Sequence, residues 1–392
     1  MLDVVTSYKA GLPLRITMLS KLYPPWIGGL ESHAALLSQT IAKWPGVDVS
    51  VVTAHAGRGW AQSNLEARVR VERATTLARV ARTPVAIGMR ALIRRTRPDV
   101  IHFHSPNPWA ELVAPLRALG VPVIVTYQHE VVRQALLRPF YRPVLDRVLQ
   151  HASRIVVWSP QLAEGAAALR SHREKVRVVP GGIDTRRFTP TARSRRDAAV
   201  LRQRLAAAGP VVLFVGRLVY YKGLRYLLTA LRSTSATLVI AGKGDEHATL
   251  VRLAEGLGVQ DRVRFVGEVG DAELPLYYQA SDLLVLPSCE RTEAFGLVQI
   301  EAHASGIPSI CTALSTGVVF ANLDGETGLV VPPGDSDSLA RAINLLSTDH
   351  ALRLRLGRQA QRRAIDEFDI ERCATRMMEI YDTVIGSGRK RR

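Results

Sequence analysis

Ser288-Cys-Glu-Arg-Thr-Glu-Ala-Phe-Gly-Leu-Val-Gln-Ile-Glu-Ala-His-Ala-Ser-Gly-Ile-Pro308 is the stretch around which the chain is read. Before it, Asp282-Leu-Leu-Val-Leu-Pro287 has the length and apolarity of a buried strand, and Ser309-Ile-Cys-Thr312 has the makings of the next one. Between them the pattern predicts a helix from about Phe295 to Ala304, closed by Gly306 and Pro308. The unit is strand, loop, helix, strand. Glu293 falls in the loop at the carboxyl end of the first strand, and Glu301 lies about two turns into the helix.

In open α/β sheets ligands bind outside the carboxyl ends of the strands. A helix that starts there presents free backbone N–H groups and the positive end of its dipole, which suits phosphate. Gly296 lets a ligand approach the backbone of Phe295, Gly296 and Leu297. A carboxylate further along can accept two hydrogen bonds from a ribose diol. From two glutamates alone, a surface helix with solvated carboxylates is the competing reading.

Glu293-Ala-Phe-Gly-Leu, with Glu301 eight positions after Glu293, resembles the signature of family 4 of the retaining glycosyltransferases. Those are GT-B enzymes that use nucleotide sugars, and the wording around Tyr127 to Gln134 and Asp324 to Asp335 resembles bacterial enzymes that build surface polysaccharides. The resemblance implies an α/β chain of two Rossmann-like domains facing an interdomain cleft. It implies that Glu293 faces the donor sugar, that Glu301 holds the ribose, and that the backbone of Phe295, Gly296 and Leu297 meets the sugar or diphosphate.

The chain has 392 residues, enough for two domains of ordinary size, and 47% are apolar, which excludes wholesale disorder. The three cysteines, Cys289, Cys311 and Cys373, lack metal-ligand spacing and suit a reducing cytosol. Met1 to Pro13 lacks the apolar core of a signal peptide, and no apolar run reaches the roughly 18 residues of a membrane span. These features predict a soluble or peripheral protein. The charge is lopsided. Residues 1–190 hold 26 Lys+Arg against 12 Asp+Glu, a net of +14, whereas residues 191–392 hold 26 against 23, a net of +3. A basic first half predicts a polyanionic partner such as a membrane surface, a phosphorylated acceptor or nucleic acid; a merely solubilising composition is the alternative.

Leu14 to Ser20 and Val47 to Thr53 read as strands flanking a helix from Glu31 to Trp44. The loop between, Tyr23-Pro-Pro-Trp-Ile-Gly-Gly29, can cradle phosphate, although the GxGxxG pattern is absent. By resemblance, Gly28 and Gly29 stand beside the donor phosphates. His33 either faces the site or lies on the helix surface. Leu77 to Arg97 reads as one or two basic amphipathic helices interrupted near Pro84, lying in a membrane interface or packed on the sheet. His102 and His104 share a strand face and, without a third ligand, make a poor metal site. Val121 to Glu130 is a strand ending in polar residues. Many members of the family place a histidine directly after the aromatic residue here, near the donor sugar. This chain has Gln128 there, with His129 one later. Gln128 can hydrogen-bond a sugar hydroxyl but cannot carry a proton, and adjacent residues at a strand end point apart. Arg133 to Arg147 reads as a basic helix, and Pro180-Gly-Gly-Ile-Asp184 resembles the family's interdomain linker.

The second half repeats the logic. Pro210 to Gly216 is a buried strand, followed by Arg217 and by Lys222-Gly223. Two cations so placed can clamp a diphosphate from two sides, or be plain surface cations; the resemblance makes Arg217 and Lys222 the diphosphate-binding pair. Lys243-Gly-Asp245 falls where the family walls its nucleobase pocket.

The expected domains are 1–187 on the acceptor side and 188–369 on the donor side. A last helix from about 370 to 385 would cross back to the first, and 386–392 would form a basic, disordered tail. The expected reaction moves a sugar from a nucleotide-diphosphate-sugar to an acceptor hydroxyl, with retention, by front-face attack. No metal and no cofactor beyond the donor is expected. The acceptor would be a glycan or a lipid-linked sugar at the cytoplasmic face of the membrane, with no nucleic acid involved. Two alternatives stand: a nucleotide-sugar phosphorylase or epimerase on the same scaffold, and a non-catalytic basic protein that binds membrane or nucleic acid.

Overall fold

The structure is a computed structural model that describes residues 13–25, 28–55, 61–80, 83–129, 138–205 and 209–389. It divides into two compact units, Met1–Gly182 with Ile370–Arg392, and Ile183–Asp369. Residues 183–187, expected with the first domain, thus belong to the second unit.

The first unit is built on strands β1 (Leu14–Leu19), β2 (Val47–Ala54), β3 (Gln62–Glu66), β4 (Val69–Val80), β5 (Thr83–Ile87), β6 (Val100–Ser105), β7 (Val123–Tyr127), β8 (Arg154–Val157) and β9 (Val176–Val178). Their order in the sheet is β3-β4-β2-β1-β6-β7-β8-β9, with β5 paired to β4. β3 and β5 run antiparallel to β4, whereas the β2, β1, β6 and β7 neighbours pair in parallel. Parallel neighbours need crossover connections, and helices supply them. The helices Gly29–Ile41 and Ile370–Arg389 close one face. There Leu14, Ile16 and Met18 form one apolar cluster with Met377, Met378 and Tyr381. The last helix therefore completes the first unit's core. It also runs on to Arg389, so the start of the expected tail is helical; residues 390–392 lie outside the described residues.

The stretch 77–97 departs from its expected reading. Leu77 to Val80 finish β4, Thr83–Ile87 form a hairpin partner for it, and only Met89–Arg95 is helical. Thr75, Thr76, Val80, Thr83, Val85 and Ile87 are β-branched, and pairing of such residues overrides an amphipathic period. Pro84 is tolerated because β5 is an edge strand. Of the expected basic helix Arg133–Arg147, the described part is a helix from Arg138 to His151; residues 130–137 lie outside the described residues, as do Trp26 and Ile27 of the first loop.

The second unit holds β10 (Val211–Val215), β11 (Thr237–Ala241), β12 (Val263–Gly267), β13 (Leu283–Leu286), β14 (Ser309–Thr312) and β15 (Gly328–Val331). Their order is β12-β11-β10-β13-β14-β15, and the paired neighbours are all parallel. Strands such as Leu283–Leu286 are buried along their whole length, as a sheet covered on both faces requires. The order reverses between β10 and β13, so the loops leaving these two strands splay apart and open a crevice at the switch point. The corresponding switch in the first unit lies between β1 and β6. The two ends of the second unit meet: Ile183 N–H donates to the Phe368 carbonyl at 2.9 Å, and Thr185 Oγ1 donates to the Asp369 carboxylate.

Candidate active site

In the second unit, the loops after β10 and β13 carry the expected donor-binding residues. Arg217 follows β10 and is exposed, its guanidinium donating to the Tyr221 hydroxyl at 3.3 Å. A short turn, Tyr220–Lys222, then brings Lys222 back over the strand ends. Its Nζ lies 2.5 Å from Glu293 Oε2, and both side chains are about nine-tenths buried. Ser288 Oγ donates to the same carboxylate oxygen at 2.9 Å.

The loop holding Glu293 is tied down from both sides. Cys289 N–H donates to the Tyr221 carbonyl at 2.8 Å, the Tyr220 hydroxyl donates to Glu290 Oε2 at 2.8 Å, and Gly317 N–H donates to the Ala294 carbonyl at 2.8 Å. Glu293 is thus a fixed carboxylate with a cation and a hydroxyl at hand, suited to accepting hydrogen bonds from a ligand's hydroxyl groups.

Gly296 caps the helix Leu297–Ala304 with φ +77°, a conformation that a side chain disfavours, and a Cβ there would come within 2.5 Å of Leu286 Cδ2. The helix begins two residues later than Phe295 for this reason. It ends as expected. Gly306, at φ +81°, lets Ile307 N–H reach the Ala302 carbonyl at 3.1 Å and Gly306 N–H reach the His303 carbonyl at 2.8 Å. Phe295 turns its ring inward against Phe320 and Phe368, with centroids 6.4 and 6.0 Å away, which leaves its backbone at the helix start.

Glu301 is partly buried, and its Oε2 accepts from the Tyr278 hydroxyl at 2.6 Å. Burial raises its carboxyl above the usual range, against the hydrogen bond from Tyr278, which lowers it. Burial likewise pushes the Tyr278 hydroxyl well up. Tyr278 and Ser288 carry no signal in the sequence. One is an aromatic in an apolar helix and the other a serine after a strand, and only the fold brings each to a carboxylate.

In the first unit, Gly28 is the cap of the helix Gly29–Ile41, in extended conformation, with Gly29 exposed beside it. Gln128 is the first residue after β7. It is buried, its N–H donates to the Ser105 carbonyl at 3.0 Å, and its amide Nε2 has no protein partner. His129 follows, partly exposed. His33 is buried rather than on the helix surface. Its Nε2 accepts from Gly182 N–H at 3.2 Å, and its ring lies 4.6 Å from that of Trp158. His102 is structural: its ring nitrogens bond the hydroxyls of Tyr381 and Thr126, each at 2.7 Å. Burial holds all three histidines neutral, His33 at about 3, His104 at about 4 and His102 well below its usual value.

Among the described residues no three His, Cys, Asp or Glu side chains gather into a metal-binding group. A separate concavity of about 670 Å³ lies on the first unit between Ala86–Arg90 and Trp109–Leu116, mainly apolar, with Arg147 and His151 on its rim.

Residues 200–363 match the family described as glycosyl transferases group 1, and residues 27–187 match glycosyltransferase family 4. The chain is 34% identical to the D-rhamnosyltransferase WbpZ of Pseudomonas aeruginosa over 86% of this chain and 87% of that protein. It is 28% identical to the O-antigen chain mannosyltransferase C of Escherichia coli over 93% of this chain and 97% of that protein. Among solved structures, sucrose-phosphate synthase from Thermosynechococcus elongatus superposes with a TM-score of 0.80 at 25% identity, covering 95% of this chain and all of that one. The chain accordingly belongs to the group 1 glycosyltransferases, enzymes of GT-B fold, with a first half of the family 4 type.

Proposed function

We propose that this glycosyltransferase moves a sugar, with retention of anomeric configuration, from a nucleotide-diphosphate-sugar to an acceptor hydroxyl in polysaccharide or glycolipid assembly. The observation that carries this reading is the Lys222–Glu293 pair at the β10/β13 switch point, beside a helix N-terminus. When the glycosidic bond breaks, negative charge develops on the leaving diphosphate. Arg217, Lys222 and the N–H groups at the start of the helix Leu297–Ala304 would stabilise it, a role of the oxyanion-hole kind. Glu293 would orient the donor sugar through its hydroxyls, and Glu301 would take the ribose diol. Gly28 and Gly29 would line the phosphates, and Gln128 and His129 would meet the sugar. A double displacement needs a carboxylate nucleophile paired with an acid about 5 Å away. Glu293 is engaged with a lysine instead, which favours front-face attack. The donor nucleotide brings its own diphosphate, so no cofactor is required in this scheme.

The acceptor side is read from the first half. Its net +14, the exposed Arg90 and Arg94, and the exposed Ile87, Leu112 and Phe140 suit a lipid-linked acceptor at an anionic membrane surface. Among the described residues no helix is long and apolar enough to cross a membrane. The contact in this reading is a peripheral one, at the cytoplasmic face. The likeness to an O-antigen chain mannosyltransferase supports a surface-polysaccharide role.

The test is thermal shift against UDP, GDP, ADP and their common sugar conjugates, for wild type and Glu301→Ala. Stabilisation by one base, lost in the variant, is expected. No stabilisation by any of them would leave a basic binding protein as the better reading.

A further inference from the structure

The loop that leaves β1 is fastened by side chains. Tyr23 is followed by Pro24 and Pro25, and neither proline has an N–H with which to tie the backbone down. Two hydrogen bonds do so instead. The Ser38 hydroxyl donates to the Ala35 carbonyl at 2.8 Å, so its hydrogen is spent, and the buried Tyr23 hydroxyl, 3.0 Å away, is the donor between the two. The Pro24 carbonyl accepts from Arg73 Nη2 at 2.7 Å, although Arg73 lies 49 positions further along the chain.

Arg73 stands inside the sheet, not on its rim. It pairs with Thr53 of β2 on one side and with Gln62 of β3 on the other. By strand alternation it shares a face with Val69 and Val71, which join Ala35, Leu37 and Ile41 of the following helix in one apolar cluster. The residue is 7% exposed. Burying a guanidinium is costly unless its charge is paired, and Nη1 lies 2.8 Å from Glu66 Oε1. Glu66 is in register with Val69 and so belongs to the same face. For stability alone, an apolar side chain would serve such a position as well as a buried ion pair does. What the guanidinium adds is its hold on Pro24.

The same loop ends at Gly28, the cap of the helix Gly29–Ile41, where no side chain supplies a capping bond. We propose that Arg73 is a positioning residue for the donor diphosphate. By fixing Pro24 it sets where Gly28 and Gly29 present their backbone, and Glu66 holds the guanidinium in place for that. This rests on the transferase reading above, in which those glycines line the phosphates.

Isothermal titration calorimetry on wild type, Arg73→Met and Arg95→Gln tests it. Arg95→Gln is the control: it breaks the ion pair to Glu72, the neighbour of Arg73 on β4, and leaves the contacts of the loop in place. The probes are GMP, GDP, UMP and UDP. The quantity read is the affinity gained on going from monophosphate to diphosphate. Arg73→Met should lose about tenfold of that gain with the monophosphate Kd unchanged, as expected for one misplaced hydrogen bond to a charged group, and Arg95→Gln should keep it. An unchanged gain in Arg73→Met would overturn the positioning role. So would a loss shared equally by monophosphate and diphosphate, or an equal loss in Arg95→Gln, since either traces the effect to a loosened sheet. Wild type that binds none of the nucleotides would overturn the transferase reading and the positioning role with it. Should Arg73→Met not fold, Glu66→Gln decides. It keeps the guanidinium but weakens the hold on it, so it must show the same selective loss on a smaller scale, and an unchanged gain would overturn the proposal.

Discussion

Lys222 Nζ and Glu293 Oε2, 2.5 Å apart, join the two loops that leave the sheet on either side of its switch point. With both side chains nearly buried, truncating one strands the other's charge. Lys222→Met and Glu293→Ala should each cost about 3 kcal/mol, and the double variant clearly less than their sum. Urea unfolding of the four proteins measures this; full additivity would mean the two do not interact. Glu293→Gln keeps an acceptor oxygen for Lys222 but not its counter-charge, so it should cost less stability than Glu293→Ala, and it should lose on the order of 10² in kcat with the native donor.

Tyr278 donates to one oxygen of Glu301, and in the proposed transferase reading the carboxylate takes the ribose diol. Tyr278→Phe should cost about 1 kcal/mol of stability. It should raise the nucleotide Kd less than Glu301→Ala does, because the carboxylate remains. Equal losses in calorimetric titrations would place the tyrosine itself against the ligand.

Two left-handed glycines bracket the same helix, and they differ in what surrounds them. A Cβ on Gly296 would meet Leu286 at 2.5 Å, whereas one on Gly306 would find Gln361 at an ordinary 3.5 Å. Gly306→Ala should therefore cost about 1 kcal/mol, from backbone conformation alone. Gly296→Ala should cost more, about 2–3 kcal/mol, and should weaken nucleotide binding because it shifts the helix N-terminus. Equal melting temperatures would refute this ranking.

His33, His102 and His104 have folded pKa values below the unfolded value, because burial disfavours the imidazolium. Between those values the unfolded chain binds more protons. The stabilisation is therefore present above about pH 6.5 and is lost as pH falls. From pH 7.5 to 5 His33 and His104 should each take away about 2 kcal/mol, and His102 acts in the same direction. Glu301, whose carboxyl is raised, works in the opposite sense and offsets a part of this. The check is unfolding at both pH values, where His104→Phe should lose less on acidification than wild type.

Of the exposed arginines Arg90, Arg94 and Arg95, the last is already engaged: its guanidinium pairs with Glu72, whose side chain is 2% exposed. Arg95→Gln should destabilise the fold by about 2 kcal/mol. Arg90→Gln with Arg94→Gln should leave stability within about 0.5 kcal/mol and weaken binding to phosphatidylserine vesicles about tenfold or more. Undiminished binding would remove this face from the membrane reading.

Legibility in the sequence followed range. The strand, loop, helix and strand around Glu293 could be read because apolar runs, Gly306 and Pro308 act within a few residues. The hairpin of β4 and β5 was missed because its Arg and Leu residues also fit a helical period, and what decides is pairing with β2 and between the two strands. His33 was left between surface and site. Its burial depends on Gly182, at the far end of the unit's first segment, and on Trp158, which no local pattern shows. The partners of Glu301 and Arg95 were illegible for the same reason: Tyr278 and Glu72 are each more than twenty residues away.

The helix Ile370–Arg389 is made last yet belongs to the unit that is begun first. On the ribosome, residues 1–182 emerge without Met377, Met378 and Tyr381, so the apolar side of β1 and its neighbours has only the helix Gly29–Ile41 to cover it while the whole of 183–369 is synthesised. The second unit, whose two ends bond to each other, can finish folding meanwhile. The order of maturation is thus the reverse of the order of translation, and a chain that stops short of residue 370 would carry a completed second unit tethered to an incompletely covered, aggregation-prone sheet.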